Sequence, residues 1–139
     1  MKAFRFPLDS ALRWRRSQCD LERAAVQRLL QQRAQLAEAH AQSVAERTRS
    51  SEAILLQPSE FETLSGFHAR VDRAKAVLHS RQNELEPRIA AQVRRAMEAQ
   101  RKVKLMERLK QRRVDQWTQS SNAEDEAFAT EAWLSRMGR

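Results

Sequence analysis

The chain has 139 residues, enough for one ordinary domain, but its composition does not fit a compact globular one. It contains 2 Gly, 3 Pro and no Tyr, and only 6% of its residues are aromatic, so it has few residues that make tight turns or fill a thick core. The formal net charge of +8 favours an acidic partner, which leaves nucleic acid, an anionic membrane and an acidic protein surface open.

The first predicted helix covers about 8–54, and Asp9 or Ser10 is suited to start it. Apolar residues recur every seven positions, as a ladder, at Leu12, Cys19 and Val26. A second pair with the same spacing follows at Leu29 and Leu36. Polar residues take the equivalent positions further on: Arg33, His40 and Arg47. This pattern is typical of a helix that packs against a single partner helix.

A break at 54–59 separates the two halves of the chain. Pro58 removes a helical hydrogen bond and disfavours helical geometry in the residue before it. Ser59 and Glu62 have the spacing of a capping box, which marks the start of a helix. The sequence therefore predicts a turn at about 55–59 and a second helix from about 60.

The second predicted helix covers about 60–119 and carries its own ladders, Leu64, Val71, Leu78 and Leu85, then Ile89, Ala96 and Val103. The step from Leu85 to Ile89 is four residues, a stutter that unwinds a supercoil locally. Pro87 lies within the stutter, so we expect a kink or local irregularity there. Because 120–122 reads Ser-Ser-Asn, the remainder, 120–139, is either a short helix or a tail.

These elements predict an all-α fold in which two long helices form an antiparallel coiled-coil hairpin, a single unit over 1–139. The lone Cys19 excludes an internal disulfide and is typical of a reducing compartment. No secretory signal is recognisable, since Pro7 and Asp9 interrupt the early apolar residues. The longest apolar run, 53–56, is much shorter than the ~20 residues that span a bilayer. A soluble, cytoplasmic protein is predicted.

No pattern of residues indicates catalysis. There is no glycine-rich phosphate loop, because Gly66 and Gly138 are isolated. Of the three histidines, His68 and His79 share a predicted helix face but would stand about 16 Å apart, too far to hold one metal, and His40 lies on the other helix. We therefore expect a protein that is not an enzyme and that uses no metal or cofactor.

A basic segment at 94–113 is open to two interpretations. It contains nine basic residues against Glu98 and Glu107: Arg94, Arg95, Arg101, Lys102, Lys104, Arg108, Lys110, Arg112 and Arg113. It is either a contact for an acidic partner or a solvated helix face with local pairs at Glu98–Lys102 and Glu107–Lys110. After residue 117 the sign reverses, with acidic residues at 124–126 and 131.

Two apolar sets are also open to a packing and a binding interpretation. In an antiparallel hairpin Trp14 would lie near Trp117, and with Trp133 these residues either close the open end or bind a partner, since Trp is enriched at interface hot spots. Early in the second helix, a stripe at helical spacing faces polar residues such as Arg33, His40 and Ser43. This stripe either packs on the first helix or docks a partner: Phe67, Val71, Ala74 and Leu78.

Three segments together resemble the FliJ family of flagellar type III export proteins. FRFPL at 4–8, with Leu12 and Arg15, is similar to the start of that family. RKVKLMERLK at 101–110 is similar to its basic motif in the second helix, and EDEA at 124–127 resembles its acidic tail.

The resemblance implies an antiparallel coiled coil similar to the stalk of rotary ATPases. Its partners would be the hexameric export ATPase, whose assembly it would promote, the membrane export gate and export chaperones. The protein would then lie at the inner face of the cytoplasmic membrane through these partners. The resemblance implies that the ATPase end carries Trp14, Arg101, Lys102, Lys104, Arg108, Lys110, Arg112, Arg113 and Trp117. It assigns the gate contact to Phe67, Val71, Ala74 and Leu78.

Three functions remain open from the sequence. The stalk interpretation includes the related stalk of virulence type III secretion systems. A basic helical protein that binds nucleic acid is the second, although no recognised reading motif accompanies the charge. The third is a structural coiled coil that self-associates, although a parallel homodimer would stack Arg33 against its own copy.

Overall fold

The computed structural model describes residues 2–56 and 61–138, without the side chains of 54–56 and 61. Within these ranges the chain forms two α-helices and no strand: α1, Asp9–Leu56, and α2, Phe61–Met137. The predicted all-α helical hairpin is confirmed. The predicted turn at 55–59 and the Ser59 cap fall largely on residues 57–60, which lie outside the described residues.

A tight turn precedes α1. The backbone N–H of Asp9 donates to the carbonyl of Phe6 at 3.1 Å, and the N–H of Leu12 donates to the carbonyl of Leu8 at 2.9 Å. Pro7 occupies the second position of this four-residue turn, where its fixed φ is favoured. Residues 2–6, which precede this turn, are here called the N-terminal arm.

The end of the second helix differs from the prediction. We expected it to end at about 119, whereas α2 continues through 120–122 to Met137. Threonine hydroxyls on either side of 120–122 are accommodated within the helix, since Thr118 and Thr130 each donate to the carbonyl four residues earlier. Residues 120–137 contain no Pro or Gly, so no residue in this stretch breaks the helix.

Contacts within the chain group into two compact units. Unit 1 comprises Met1–Asp20 and Met97–Arg139, so it combines the start of α1 with the end of α2. Its core consists of Phe6, Leu12, Cys19 and Val103, with Phe4, Ala99 and Met106 packed against them. Leu12 is completely buried, and the ladder positions Leu12 and Cys19 therefore face α2 as the spacing predicts.

Unit 2 comprises Leu21–Ala96. Polar contacts join its two helical segments: the Gln92 amide donates to the carbonyl of Glu22 at 3.2 Å, and an ion pair joins Arg33 to Glu86 at 3.6 Å. Higher residue numbers in α1 meet lower ones in α2, so the segments run antiparallel. Leu85 and Ile89 are its buried hydrophobic residues among those described.

Pro87 lies inside α2 between these two buried residues. Proline has no N–H to donate to the carbonyl of residue 83, yet α2 continues on both sides of it. The backbone is therefore helical throughout the four-residue step from Leu85 to Ile89. The kink predicted there stays a prediction.

Truncation of Leu12 is expected to destabilise the protein by about 3 kcal/mol, because Leu12→Ala removes a fully buried side chain and leaves a cavity. Denaturant unfolding followed by circular dichroism measures this change. Leu21→Ala is the matched control: Leu21 is 61% exposed in the same helix, so its truncation should cost less than about 0.5 kcal/mol. Equal losses for the two variants would contradict the assigned core.

Candidate protein-binding surface

The N-terminal arm packs on the end of α2 within unit 1. Phe6 is buried, and the amine of Lys110 lies 5.9 Å from the centroid of its ring. Phe4 reaches further along α2, where its ring is tilted against that of Trp117 with the centroids 6.1 Å apart. The sequence analysis did not predict that the arm packs on α2. The spacing of Phe4 and Phe6, two residues apart, is the signal for it, because in an extended segment such residues point to the same side.

Two ion pairs join α1 to α2 in this unit. The Lys110 amine lies 3.1 Å from the Asp9 carboxylate, and the Arg16 guanidinium lies 3.1 Å from that of Glu107. The predicted Glu107–Lys110 pair is therefore wrong, because each residue finds a partner on the facing helix. The predicted Glu98–Lys102 pair is present at 3.9 Å.

The contact with Lys110 also changes the acidity of Asp9. The hydrogen bond from Lys110 and its positive charge lower the pKa of the Asp9 carboxyl, and the nearby charges of Arg13 and Arg16 act in the same direction. Asp9 opens the first turn of α1, where a negative charge is favourable towards the helix dipole. Its ionised form thus ties the start of α1 to α2.

A row of basic residues on α2 faces away from the core of unit 1. Because Val103 and Met106 face α1, residues half a turn away point outward. We call this row the basic stripe: Arg101, Lys104, Arg108 and Arg112. All four are exposed, and none forms an ion pair with an acidic residue in the described part of the chain. Exposed Met97 and Leu105 lie among them.

The other residues assigned to the ATPase end have different surroundings. Lys102 and Lys110 are committed to the ion pairs already given, whereas Arg113 is exposed. Trp14 is 56% exposed, and its ring contact is with Arg15, 5.0 Å from the centroid. Trp117 has Phe4 as its ring partner, so Phe4 takes the place that the sequence analysis gave to Trp14.

The apolar stripe predicted early in the second helix lies in unit 2. Phe67, Val71 and Leu78 are half-buried, whereas Ala74 is exposed. Its expected polar neighbour Arg33 pairs with Glu86 instead. Leu78 borders a groove formed with α1 residues that include Leu36 and Ala39. Partial burial of three of its four residues favours packing as one role of this stripe.

The three histidines lie in unit 2, and the cysteine lies in unit 1. Nε2 of His68 is buried and has no hydrogen-bond partner among the described residues, and the centroid of its ring lies 6.2 Å from that of Phe67. Cys19 is buried in the core of unit 1. Within the described residues, no three His, Cys, Asp or Glu side chains converge as a metal site would require. Neither described helix has a segment long and apolar enough to cross a membrane.

Comparison with known proteins finds no matching protein family, no matching curated protein and no matching solved structure.

Asp9→Asn is expected to destabilise the protein near neutral pH and to have little effect in acid. The folded-state pKa of Asp9 is lowered, so its contribution is complete above the ordinary carboxyl pKa of about 4 and is lost as the pH falls through the lowered value. Denaturant unfolding of both proteins between about pH 3 and pH 7 measures the difference. A difference that stays constant over this range would show that the charge of Asp9 is not the cause.

Proposed function

We propose that this protein is a non-enzymatic component of a flagellar type III export apparatus, where its helical hairpin binds the export ATPase and promotes assembly of the ATPase hexamer. Contacts with the export gate and with export chaperones complete its set of partners. It acts at the inner face of the cytoplasmic membrane, which it reaches through those partners. It needs no metal or cofactor for this role.

The observation that carries the proposal is the basic stripe of unit 1. Four exposed cations on one face of α2 have no acidic partner in the described residues, so their charge is available to another molecule. Three of them, Arg101, Lys104 and Arg108, lie in the segment 101–110 that resembles the family's basic motif. Exposed Leu105 adds an apolar contact in the middle of the stripe.

A second observation links the two family-like segments of the sequence. FRFPL at 4–8 and the segment 101–110 belong to one packed unit, since Phe6 shares a core with Val103 and its ring lies beside Lys110. The arm therefore holds the inner face of α2 and leaves the opposite face for binding. In this proposal Trp14, which is largely exposed, provides a further contact for the ATPase.

The basic stripe also fits the phosphates of nucleic acid, which gives a second candidate function. Phosphate contacts release counterions, so affinity for DNA falls steeply as salt is raised. An exposed Leu105 and Met97 within the stripe favour a protein surface over a phosphate backbone, because base-independent phosphate binding gains little from aliphatic contacts. Duplex DNA belongs in the binding assay as a competitor.

Reversal of the basic stripe is expected to abolish the effect of this protein on the export ATPase. The variant carries Arg101→Glu, Lys104→Glu, Arg108→Glu and Arg112→Glu. Binding should weaken at least about tenfold, since each attractive contact becomes repulsive. The measurements are the ATPase rate and the mass of the ATPase oligomer, with and without this protein.

The matched control makes the same change in charge elsewhere. Arg23, Arg28, Arg49 and Arg70 are exposed residues of unit 2 without ion pairs in the described residues, and their replacement by Glu should leave ATPase binding within about threefold of wild type. If wild-type protein neither co-migrates with the ATPase nor changes its rate while it remains helical, the proposal fails. Preferential binding of DNA at physiological salt would favour the second candidate.

Truncation of the apolar stripe separates packing from docking. Phe67→Ala with Val71→Ala removes two half-buried side chains of unit 2. A packing role predicts lower stability, by about 1–3 kcal/mol, whereas a docking role predicts that the variant, while still folded, binds the export gate more weakly. We expect both effects, because partial burial leaves part of each side chain accessible.

Val77→Ala is the control for this pair. Val77 is 51% exposed in the same stretch of α2, and its truncation should change neither stability nor gate binding. Gate binding that is unaffected by the double variant would remove the stripe from the proposed set of partner contacts.

A further inference from the structure

The inner face of α2, which packs on α1 and the arm, continues beyond the part that they cover. Val114, Ser121 and Phe128 are seven residues apart, so they share one side of the helix. Val114 follows the core residue Val103 by about three helical turns, which places this row on the inner face. Val114 is half-buried and Ser121 is buried, whereas Phe128 is 75% exposed. The cover therefore ends between Ser121 and Phe128.

Acidic side chains surround Phe128. On a helix, the residues three and four positions before and after a side chain lie beside it. For Phe128 these are Glu124, Asp125, Glu131 and Ala132. The three carboxylates are exposed, and none of them pairs with a basic residue in the described part of the chain. Phe128 and its four neighbours are here called the acidic patch.

The acidic patch lies in a stretch of the chain without positive charge. The protein has 26 Lys and Arg residues, yet none lies between Arg113 and Arg136. Five acidic residues lie in the same interval: Asp115, Glu124, Asp125, Glu126 and Glu131. Arg136 follows at the edge of the inner face, and one guanidinium against the three carboxylates of the patch leaves this side of the helix negative.

The charge and the aromatic ring together restrict what can cover the patch. Nucleic acid and anionic lipid are repelled by the carboxylates. A small cation would leave the ring of Phe128 in water. A basic amphipathic helix satisfies both features, because its apolar side covers Phe128 and Ala132 while Lys or Arg beside that side pairs with Glu124 and Glu131. These two carboxylates are about 10 Å apart along the axis, which matches cations seven residues apart on a facing helix.

We propose that the acidic patch is a docking site for a basic amphipathic helix of another protein. The docked helix lies along α2 and continues the packed inner face where the cover from this chain ends. The site is distinct from the basic stripe, which faces the other side of α2, and it does not depend on the proposed ATPase contact.

A synthetic peptide of leucine and lysine tests this chemistry. With about 18 residues and leucines at helical spacing, it forms a helix with one apolar and one basic side. Binding is followed by fluorescence anisotropy of labelled peptide, kept below the concentration at which it associates with itself. Two control peptides should bind at least about tenfold more weakly: one with the same composition in scrambled order, and one with glutamate in place of lysine.

Charge reversal on the patch should weaken binding of the leucine–lysine peptide at least about tenfold. The variant carries Glu124→Lys and Glu131→Lys, so two attractive contacts become repulsive. Asp115→Lys with Glu126→Lys is the matched control. It makes the same change in charge within the same stretch but on the other side of α2, and its affinity should stay within about threefold of wild type.

Truncation of the aromatic ring tests the apolar part of the patch. Phe128→Ala should weaken peptide binding at least about tenfold, because the docked helix covers this ring. Trp133→Ala is the control, since Trp133 is also 57% exposed but points to a different side of α2, and it should change the affinity less than about threefold. Circular dichroism of each variant checks that α2 stays helical.

The proposal is overturned if the leucine–lysine peptide does not bind wild type, or if the scrambled peptide binds as tightly. Equal losses in the Glu124 and Glu131 variant and in its Asp115 and Glu126 control would also overturn it. A second copy of the chain is another candidate occupant, and self-association of wild type that Phe128→Ala abolishes in sedimentation would assign the patch to that copy instead. Loss of peptide binding confined to the patch variants, with wild type monomeric, would establish the site.

Discussion

Packing of α1 and the N-terminal arm on one face of α2 determines most of the features of unit 1. Leu12 is completely buried there, and Phe6, just before the turn at Pro7, shares its core. Once Val103 faces this core, helical geometry requires that residues half a turn away face outward. The basic stripe is thus exposed because the opposite side of the helix is buried.

Where α1 packs on α2, charged residues on the inner face of α2 form ion pairs with α1, whereas the basic residues on its outer face do not. On the inner side Lys110 and Glu107 pair with Asp9 and Arg16 of α1, which holds the two helices in one antiparallel register. Exposed pairs of this kind add little stability, but they discriminate against a shifted register, since a shift places like charges together. On the outer side the basic residues have no such partner in the described residues, which leaves their charge for another molecule. This division underlies the proposed ATPase contact.

Unit 2 has a thinner interior than unit 1. Arg33 and Arg47 occupy ladder positions in α1 where a coiled coil would place apolar residues, and they form ion pairs with Glu86 and Asp72 of α2. Leu85 and Ile89 are the buried hydrophobic residues of this unit among those described, and they stand on either side of Pro87. Packing on both sides of a proline can hold the helix continuous where the backbone hydrogen bond is missing. The half-buried Phe67 and Val71 fit a unit whose helices leave apolar surface partly accessible.

The sequence by itself determined the all-α hairpin, because Pro58 breaks a chain that otherwise has helical periodicity, and it identified Leu12 and Cys19 as core through their seven-residue spacing. It also located the basic segment, although it could not separate the outward Arg101 and Arg108 from the paired Lys110. Only the tertiary structure decided that separation, because it depends on which side chains of α1 lie opposite. The same reason explains why Phe4, and not Trp14, meets Trp117: the arm's path depends on a turn whose direction local sequence does not specify. The extent of α2 to Met137 was likewise missed, because serine and asparagine at 120–122 favour a helix end as readily as they are accommodated within a continuous helix.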